Sequence, residues 1–186
     1  MVSPERRVRM KVVLDGLPPE GRVVEGGIDE LWLVEAVRQA IGVKPRGTAV
    51  KLHVNREGSE RFCVTGSVSV DWKATCDRCV RLLRSSLEGP VRLMYQRGSL
   101  PTEEDLELAE GDLDIGWIQG GSLDLSDVVS EQIALWMPDR IRCGDARVSR
   151  LDPSDTGPCV LPKQQDGPPL KRNSAFSALA NWKPSH

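Results

Sequence analysis

The stretch Phe62-Cys-Val-Thr-Gly-Ser-Val-Ser-Val-Asp-Trp-Lys-Ala-Thr-Cys-Asp-Arg-Cys79 decides the fold of this chain. Apolar and polar side chains alternate in it from Val64 to Ala74, and a period of two residues is typical of a half-buried β-strand. The cysteine pair at its end is followed by a second alternating run that begins at Val91. The sequence therefore predicts two strands joined through a cysteine knuckle.

Two more strands are predicted before this unit. Residues 7–14 and residues 48–54 both alternate as strands do. Residues 55–59 are rich in turn-forming side chains and connect the second of these strands to the long one, as a hairpin would. A mainly antiparallel arrangement follows from these short connections.

Two amphipathic helices are also predicted. Apolar residues recur three and four positions apart in residues 28–41 and again in residues 125–137. Gly42 is placed to end the first helix, and Asp124 is placed to cap the second. We expect Leu135 and Trp136 to anchor the second helix to the sheet.

Together these patterns predict an α+β fold with a mainly antiparallel, twisted sheet, either open or curled towards a barrel, and two main helices. Residues 1–143 are predicted to form this single domain. Residues 144–186 are predicted to be a loosely attached tail, rich in proline and glycine, that ends in a short helix at 173–182. Pro90 is expected at the start of its strand, where a missing N–H does least harm.

The composition favours a reduced cytoplasmic protein. No stretch approaches the roughly 18 apolar residues of a membrane helix, so no membrane partner is expected. The first residues lack the apolar core of a signal peptide, which predicts that the protein is not exported. The five cysteines are an odd number, and only two of them lie close together. That pattern is a poor disulfide framework and fits the cytoplasm.

Charge is segregated along the chain although the net charge is only −2. Residues 1–100 carry 17 basic and 12 acidic side chains, whereas residues 103–131 carry ten acidic side chains and no basic one. One interpretation is a solvated acidic loop beside an ordinary mixed domain. The other is a basic face for a polyanion, repelled by the acidic segment.

No catalytic arrangement is visible in the sequence, so we expect no enzyme. The motifs of serine hydrolases, zinc proteases and phosphate-binding loops are absent. His53, the only histidine apart from the last residue, falls on the polar side of its predicted strand. A surface histidine without partners explains it better than a catalytic one.

The pair Cys76 and Cys79 is compatible with three interpretations. Two thiolates at this spacing can share a zinc ion, but a closed site needs two more ligands. The further candidates are Cys143, Cys159, Cys63, His53 and His186. Cys143 and Cys159 are 16 positions apart without a second Cys-x-x-Cys, so the strong zinc-ribbon pattern is absent. Thiol–disulfide exchange is a second chemistry, although the strand–helix–strand context of redox motifs is missing. The third interpretation is a purely structural turn with two small side chains.

Basic side chains cluster around the knuckle and are candidates for binding RNA phosphates. They are Lys73, Arg78, Arg81, Arg84 and Arg92. Trp72 and Tyr95 lie beside them and have rings on which bases can stack. Both aromatic residues fall on predicted core faces, so packing explains them better.

Three segments together resemble a known family: Ala74-Thr-Cys-Asp-Arg-Cys-Val80, Ser122-Leu-Asp-Leu-Ser-Asp-Val-Val-Ser-Glu-Gln-Ile-Ala-Leu-Trp-Met-Pro138 and Arg172-Asn-Ser-Ala-Phe-Ser-Ala-Leu-Ala-Asn-Trp-Lys183. With them the chain resembles the YceD-like proteins, the large ribosomal RNA subunit accumulation proteins of bacteria and plastids. Many members carry a cysteine-rich stretch after the second helix. Here only Cys143 and Cys159 remain of it, which leaves a complete zinc site in doubt.

The resemblance implies a non-enzymatic role in ribosome biogenesis, through synthesis, processing or accumulation of large-subunit (23S) rRNA. Its expected partner is precursor rRNA or an assembling large subunit. Two alternatives from other classes stay open. One is a thiol or zinc-site protein with redox chemistry, and the other is an acidic adaptor that binds a ribosomal protein.

Overall fold

The computed structural model describes residues 8–98 and 115–161, which contain eight strands and two helices. The elements in chain order are β1 (Lys11–Val13), β2 (Arg22–Gly27), α1 (Leu31–Ile41), β3 (Gly47–Arg56), β4 (Arg61–Thr75), β5 (Leu82–Arg97), β6 (Ile115–Ile118), β7 (Ser122–Asp124), α2 (Leu125–Trp136) and β8 (Val148–Arg150). The predicted helix at 173–182 and the acidic residues 103–114 lie outside the described residues.

The long hairpin of β4 and β5 forms the centre of the main sheet. Its antiparallel ladder runs without interruption from Arg61 opposite Gln96 to Thr75 opposite Leu82. β5 therefore begins well before Pro90, and the prediction that Pro90 starts the strand was wrong. The Ser86 N–H bonds the Arg147 carbonyl at 3.0 Å on the side away from β4. Pro90 lies four residues further along the same strand and directs its nitrogen to that side, so the ladder with β4 loses no hydrogen bond.

The main sheet has the order β2-β3-β4-β5-β6, with β8 paired to the start of β5. All neighbours are antiparallel except β5 and β6. The α+β prediction is confirmed, but the alternative of a barrel was wrong, since the sheet is open. A separate pair, β1 and β7, lies outside it. The helices cover the apolar face of the open sheet, so that face does not need a closed barrel to exclude water.

The core lies between one face of the main sheet and the two helices, which pack on each other. Its completely buried side chains include Leu33, Leu52, Phe62, Val64 and Ile133. The opposite face of the sheet, here called the outer face, carries the alternate side chains of β3, β4 and β5. The alternation that predicted half-buried strands therefore assigns each residue to the correct face.

The end of α1 and the start of α2 lie at the residues that the sequence predicts. Gly42 adopts the left-handed conformation (φ 75°) after α1, and the Asp124 side chain accepts a hydrogen bond from the Ser126 N–H at the start of α2. The Trp136 ring packs directly over Gly89 of β5, as expected for an anchor. Leu135 is 76% exposed, so its predicted anchoring role was wrong. It lies on the side of α2 that faces away from the sheet.

The described part of the predicted tail is attached to the sheet. β8 pairs with Leu83, Arg84 and Ser85 of β5, and the segment around it carries Cys143 and Cys159. The predicted boundary at residue 143 therefore lies inside a segment that continues along the edge of β5. This attachment places both cysteines near the knuckle.

Candidate metal centre

The knuckle between β4 and β5 is a tight turn closed by backbone hydrogen bonds. The Val80 N–H bonds the Cys76 carbonyl at 2.9 Å, and the Cys76 N–H bonds the Arg81 carbonyl at 2.9 Å. Val80 has a φ of 61°, a left-handed conformation that costs a β-branched residue about 1–2 kcal/mol. The turn therefore holds Val80 in strain and fixes Cys76 and Cys79 relative to each other.

Two further thiols reach the knuckle from the segment after α2. The Asp77 N–H bonds the Ile141 carbonyl at 2.8 Å, and the Ile141 N–H bonds the Asp77 carboxylate at 2.6 Å. Two residues later, the Cys143 sulfur lies 3.5 Å from the Cys79 sulfur. The Cys159 sulfur lies 3.7 Å from the Cys76 sulfur. The structure thus brings all four predicted cysteines together.

The donor set fits a tetrahedral zinc ion. The four Sγ atoms of Cys76, Cys79, Cys143 and Cys159 all lie within 4.8 Å of one another. Zinc–sulfur bonds of about 2.3 Å place tetrahedral sulfurs about 3.8 Å apart. All four thiols are free, and Cys63 is buried elsewhere in the chain. Four thiolate ligands would leave no open position for a substrate, which is the arrangement of a structural site rather than a catalytic one.

The pKa values of three of these thiols are shifted in different directions. Burial raises the pKa of Cys76, but backbone N–H groups of Cys79, Cys143 and Arg78 more than offset it and lower that pKa to about 6. Burial, together with the neighbouring thiols, raises the pKa of Cys143 to about 12, and burial likewise raises the pKa of Cys159. One thiolate is therefore stabilised by the backbone, while Cys143 and Cys159 hold their protons until a cation offsets the crowded negative charge.

The basic residues predicted around the knuckle fall into two groups. Lys73 lies directly opposite Arg84, and Arg92 lies opposite Thr65, so these three residues share the outer face. All three are exposed, as is Arg78 in the turn itself. The Arg81 side chain is only 28% exposed and is engaged with Asp155 and Gly157. Arg81 is thus turned towards the segment that carries Cys159 and away from the other four.

The structure adds site residues that sequence reasoning missed. Lys51 of β3 lies opposite Ser67 and so joins the outer face, which the spacing within β3 could have indicated. Asp77 bonds the segment that leads to Cys143, and Arg150 bonds Gly157 and Asp155 in the segment that leads to Cys159. No local pattern in the sequence marks these residues. His53 has a backbone partner, the Glu20 carbonyl, 2.8 Å from its Nε2 atom.

A concave region lies at the other end of β5 from the four cysteines, between Arg97 and the loop at Gly120 and Gly121. Its volume is about 560 Å³. The Arg97 guanidinium there is already paired with Asp15 at 2.7 Å. The charge of this cleft is therefore largely balanced. Among the described helices, none has the length and hydrophobicity to cross a membrane.

Comparison with known proteins places these features in a family. A family model described as "Large ribosomal RNA subunit accumulation protein YceD" matches residues 64–183, about two thirds of the chain. The matched region contains all but the first three residues of β4, together with the knuckle, β5, α2 and all four clustered cysteines. No curated protein and no solved structure matches the chain significantly. The resemblance seen in the sequence is confirmed, and the chain belongs to the YceD family of large ribosomal RNA subunit accumulation proteins.

Proposed function

We propose that this protein is a non-enzymatic, cytoplasmic ribosome-biogenesis factor that supports accumulation of 23S rRNA by binding precursor rRNA or an assembling large subunit. The family match supports the connection with large-subunit RNA. The observation that carries direct contact with RNA is the outer face of the sheet, which neither helix covers and which bears Lys51, Lys73, Arg84 and Arg92.

The outer face carries the acidic side chains of Glu25, Asp71 and Glu88 as well as the basic ones, so contact with a phosphate backbone depends on the cations that are not paired. Lys51 pairs with Glu25 at 2.7 Å, and Arg84 pairs with Asp71 at 3.3 Å. Within the described part of the chain, Lys73 and Arg92 form no ion pair, so their charges are available to a partner. Each phosphate contact by such a side chain releases a condensed counterion and makes binding dependent on salt.

The centre of the outer face favours contact with the RNA backbone over reading of bases. Its side chains are short and hydroxylated, at Thr65, Ser67 and Ser69. The aromatic candidates for base stacking lie on the other side, since Trp72 is 2% exposed and Tyr95 packs against the core. Hydroxyl and cationic groups without exposed rings bind phosphates and sugars with little preference for sequence.

We further propose that the four-cysteine centre binds one Zn²⁺ ion. The support is the agreement between the observed sulfur separations and those of a tetrahedral thiolate site. A bound ion would crosslink the knuckle to the segment after α2. The role of the metal is then structural, because it fixes the edge of the sheet beside Lys73 and Arg84.

Crosslinking in cells followed by sequencing of bound RNA tests the proposal. The parent protein is expected to enrich 23S precursor sequences, and a Lys73→Glu/Arg92→Glu variant is expected to lose this enrichment. Arg38→Glu, a charge reversal on the exposed side of α1, serves as the matched control and should behave as the parent. Enrichment of ribosomal proteins without RNA would overturn direct RNA contact and favour the adaptor alternative.

The lowered pKa of Cys76 gives the thiol-exchange alternative one specific support. Because Cys76 is only 1% exposed, this alternative requires the thiol to open to solvent, and it predicts alkylation of Cys76 at pH 7 without a chelator. The zinc proposal predicts the opposite, because a metal-bound thiolate reacts slowly until a chelator removes the ion. Alkylation rates measured from pH 5 to 9, with and without a chelator, decide between the two.

A further inference from the structure

We propose that Arg81 and Arg150 form a clamp on residues 155–157 that positions Cys159 and thereby sets the metal affinity of the four-cysteine centre. This inference rests on the zinc proposal and adds two positioning residues to it. Neither arginine is a ligand. Both act through the segment that leads to the ligand.

Arg81 connects the two sides of the centre by itself. Its backbone carbonyl accepts the Cys76 N–H at 2.9 Å. Its guanidinium donates from Nη1 to the Gly157 carbonyl at 2.7 Å, and its Nε lies 3.0 Å from the Asp155 carboxylate. Gly157 is two residues before Cys159, whose sulfur is 3.7 Å from that of Cys76. One residue therefore holds both members of this sulfur pair.

Arg150 holds the same segment from β8. Its Nη2 donates to the Gly157 carbonyl at 2.6 Å, and its Nη1 donates to the Asp155 carbonyl. The Asp155 carboxylate lies 3.6 Å from the same nitrogen. The Gly157 carbonyl thus receives hydrogen bonds from both arginines, and Asp155 neutralises part of their charge. Forked donors of this kind fix orientation as well as distance.

The clamp is needed because regular structure ends before Cys159. β8 stops at Arg150, and residues 151–161 contain no helix or strand. Cys143, by contrast, follows directly on the Asp77–Ile141 hydrogen bonds. An unanchored Cys159 would lose conformational entropy on binding the metal, which would weaken binding. The arginines supply the anchor that the missing secondary structure does not.

Gly157 is the residue that lets the guanidinium approach. A Cβ atom built at this position would lie 2.8 Å from Nη2 of Arg81. An alanine there would displace the flexible end of the Arg81 side chain and disturb only its part of the clamp, while leaving both arginines in the chain. Gly157→Ala therefore tests the clamp without removing a charge.

The experiment measures the zinc dissociation constant of the full chain by competition with a chromophoric chelator. Arg81→Ala/Arg150→Ala is expected to bind zinc 10- to 100-fold more weakly, the range typical of lost positioning contacts. Replacing Arg150→Ala by Arg150→Lys in the double variant should restore part of the zinc affinity. Arg38→Ala on α1 is the matched control. Spectra with Co²⁺ should keep the intensity of a tetrahedral thiolate site, because the ligands are unchanged.

The outcomes separate this inference from the zinc proposal. Parent-like affinity in the double variant overturns the clamp and leaves the zinc centre standing. Failure of the parent to bind zinc overturns both. If circular dichroism shows that the double variant is unfolded, the single variants Arg81→Ala and Arg150→Ala decide: weaker binding by a folded protein supports the clamp, and parent-like affinity in both overturns it.

Discussion

Asp77 and Ile141 hydrogen-bond each other in both directions, through the Asp77 N–H at 2.8 Å and through the Asp77 carboxylate at 2.6 Å. Asp77→Ala removes the second bond and loosens the segment that delivers Cys143. We expect about tenfold weaker zinc binding, measured by chelator competition. Asp77→Asn keeps an accepting oxygen and should bind zinc nearly as the parent does. Asp139→Ala, in an exposed loop nearby, is the control, and equal losses in both alanine variants would contradict this role.

Removal of the metal should destabilise residues 141–161, which the centre joins to the knuckle, before it destabilises the core. The parent and Cys63→Ala are expected to contain one zinc per chain, whereas Cys76→Ser and Cys143→Ser should contain much less. An ion that binds only the folded state, present at 1,000 times its dissociation constant, stabilises that state by about 4 kcal/mol. A chelator should therefore lower the melting temperature and increase hydrogen exchange at residues 141–161. A melting temperature unchanged by chelation would show that the metal contributes no stability.

The titration of Tyr95 can be followed alone, because it is the only tyrosine in the chain. Burial, with a smaller effect from the charge of Glu131, raises its pKa to about 12. A raised pKa favours the protonated native state, so this stability is complete below the ordinary pKa of about 10. It is lost as the pH rises from 10 to 12. Absorbance at 295 nm should stay flat to about pH 11 in the folded protein. A midpoint near 10 without unfolding would contradict the burial.

Gly66, in the middle of β4, has no tolerance for a side chain. Its φ is 149°, and a Cβ atom there would collide with the Lys51 carbonyl of β3. Gly66→Ala must separate two paired strands, so we expect a loss of more than about 3 kcal/mol in the free energy of unfolding. Gly47→Ala is the matched control, since its nearest contact would be 3.5 Å from an Asp71 side chain. Similar urea midpoints for the two variants would refute this expectation.

Binding of RNA through the outer face has a characteristic dependence on salt. Lys73→Ala/Arg92→Ala should weaken binding to a 23S rRNA fragment and reduce the slope of log K against log salt by about 2. The two side chains should act equally on fragments of different sequence, because they contact phosphates. The measurement is fluorescence anisotropy at several salt concentrations. An unchanged slope would place the contact elsewhere on the protein.

Much of the fold follows from local sequence, because alternation and helical spacing report which side of each element faces the core. Gly42 and Asp124 end and begin their helices where their side-chain chemistry predicts. Leu135 and Pro90 were misplaced since their positions depend on neighbours that the sequence does not show. For Leu135 the decisive fact is the rotation of α2 against β5. For Pro90 it is the length of the hairpin.

The candidate site could be predicted only in part. The pair Cys76 and Cys79 is visible as a motif, but its partners lie 64 and 83 residues away in a segment without periodicity. The Asp77–Ile141 hydrogen bonds and the pairing of β8 with β5, which join residues far apart in the sequence, bring them together. The same pairing separates Arg81 from the other arginines near the knuckle. Sequence proximity alone does not distinguish a side chain that faces solvent from one that holds a loop.

The separation of the ligands along the chain also imposes an order on synthesis. Cys76 and Cys79 emerge from the ribosome well before Cys143. Cys159 emerges last, 83 residues after Cys76. A nascent or truncated chain that stops before Cys159 can present at most three of the four thiolates. If the centre binds zinc as proposed, capture of the ion with full affinity requires a chain that extends through Cys159, and a chain without that last ligand would leave a partial site open to oxidation.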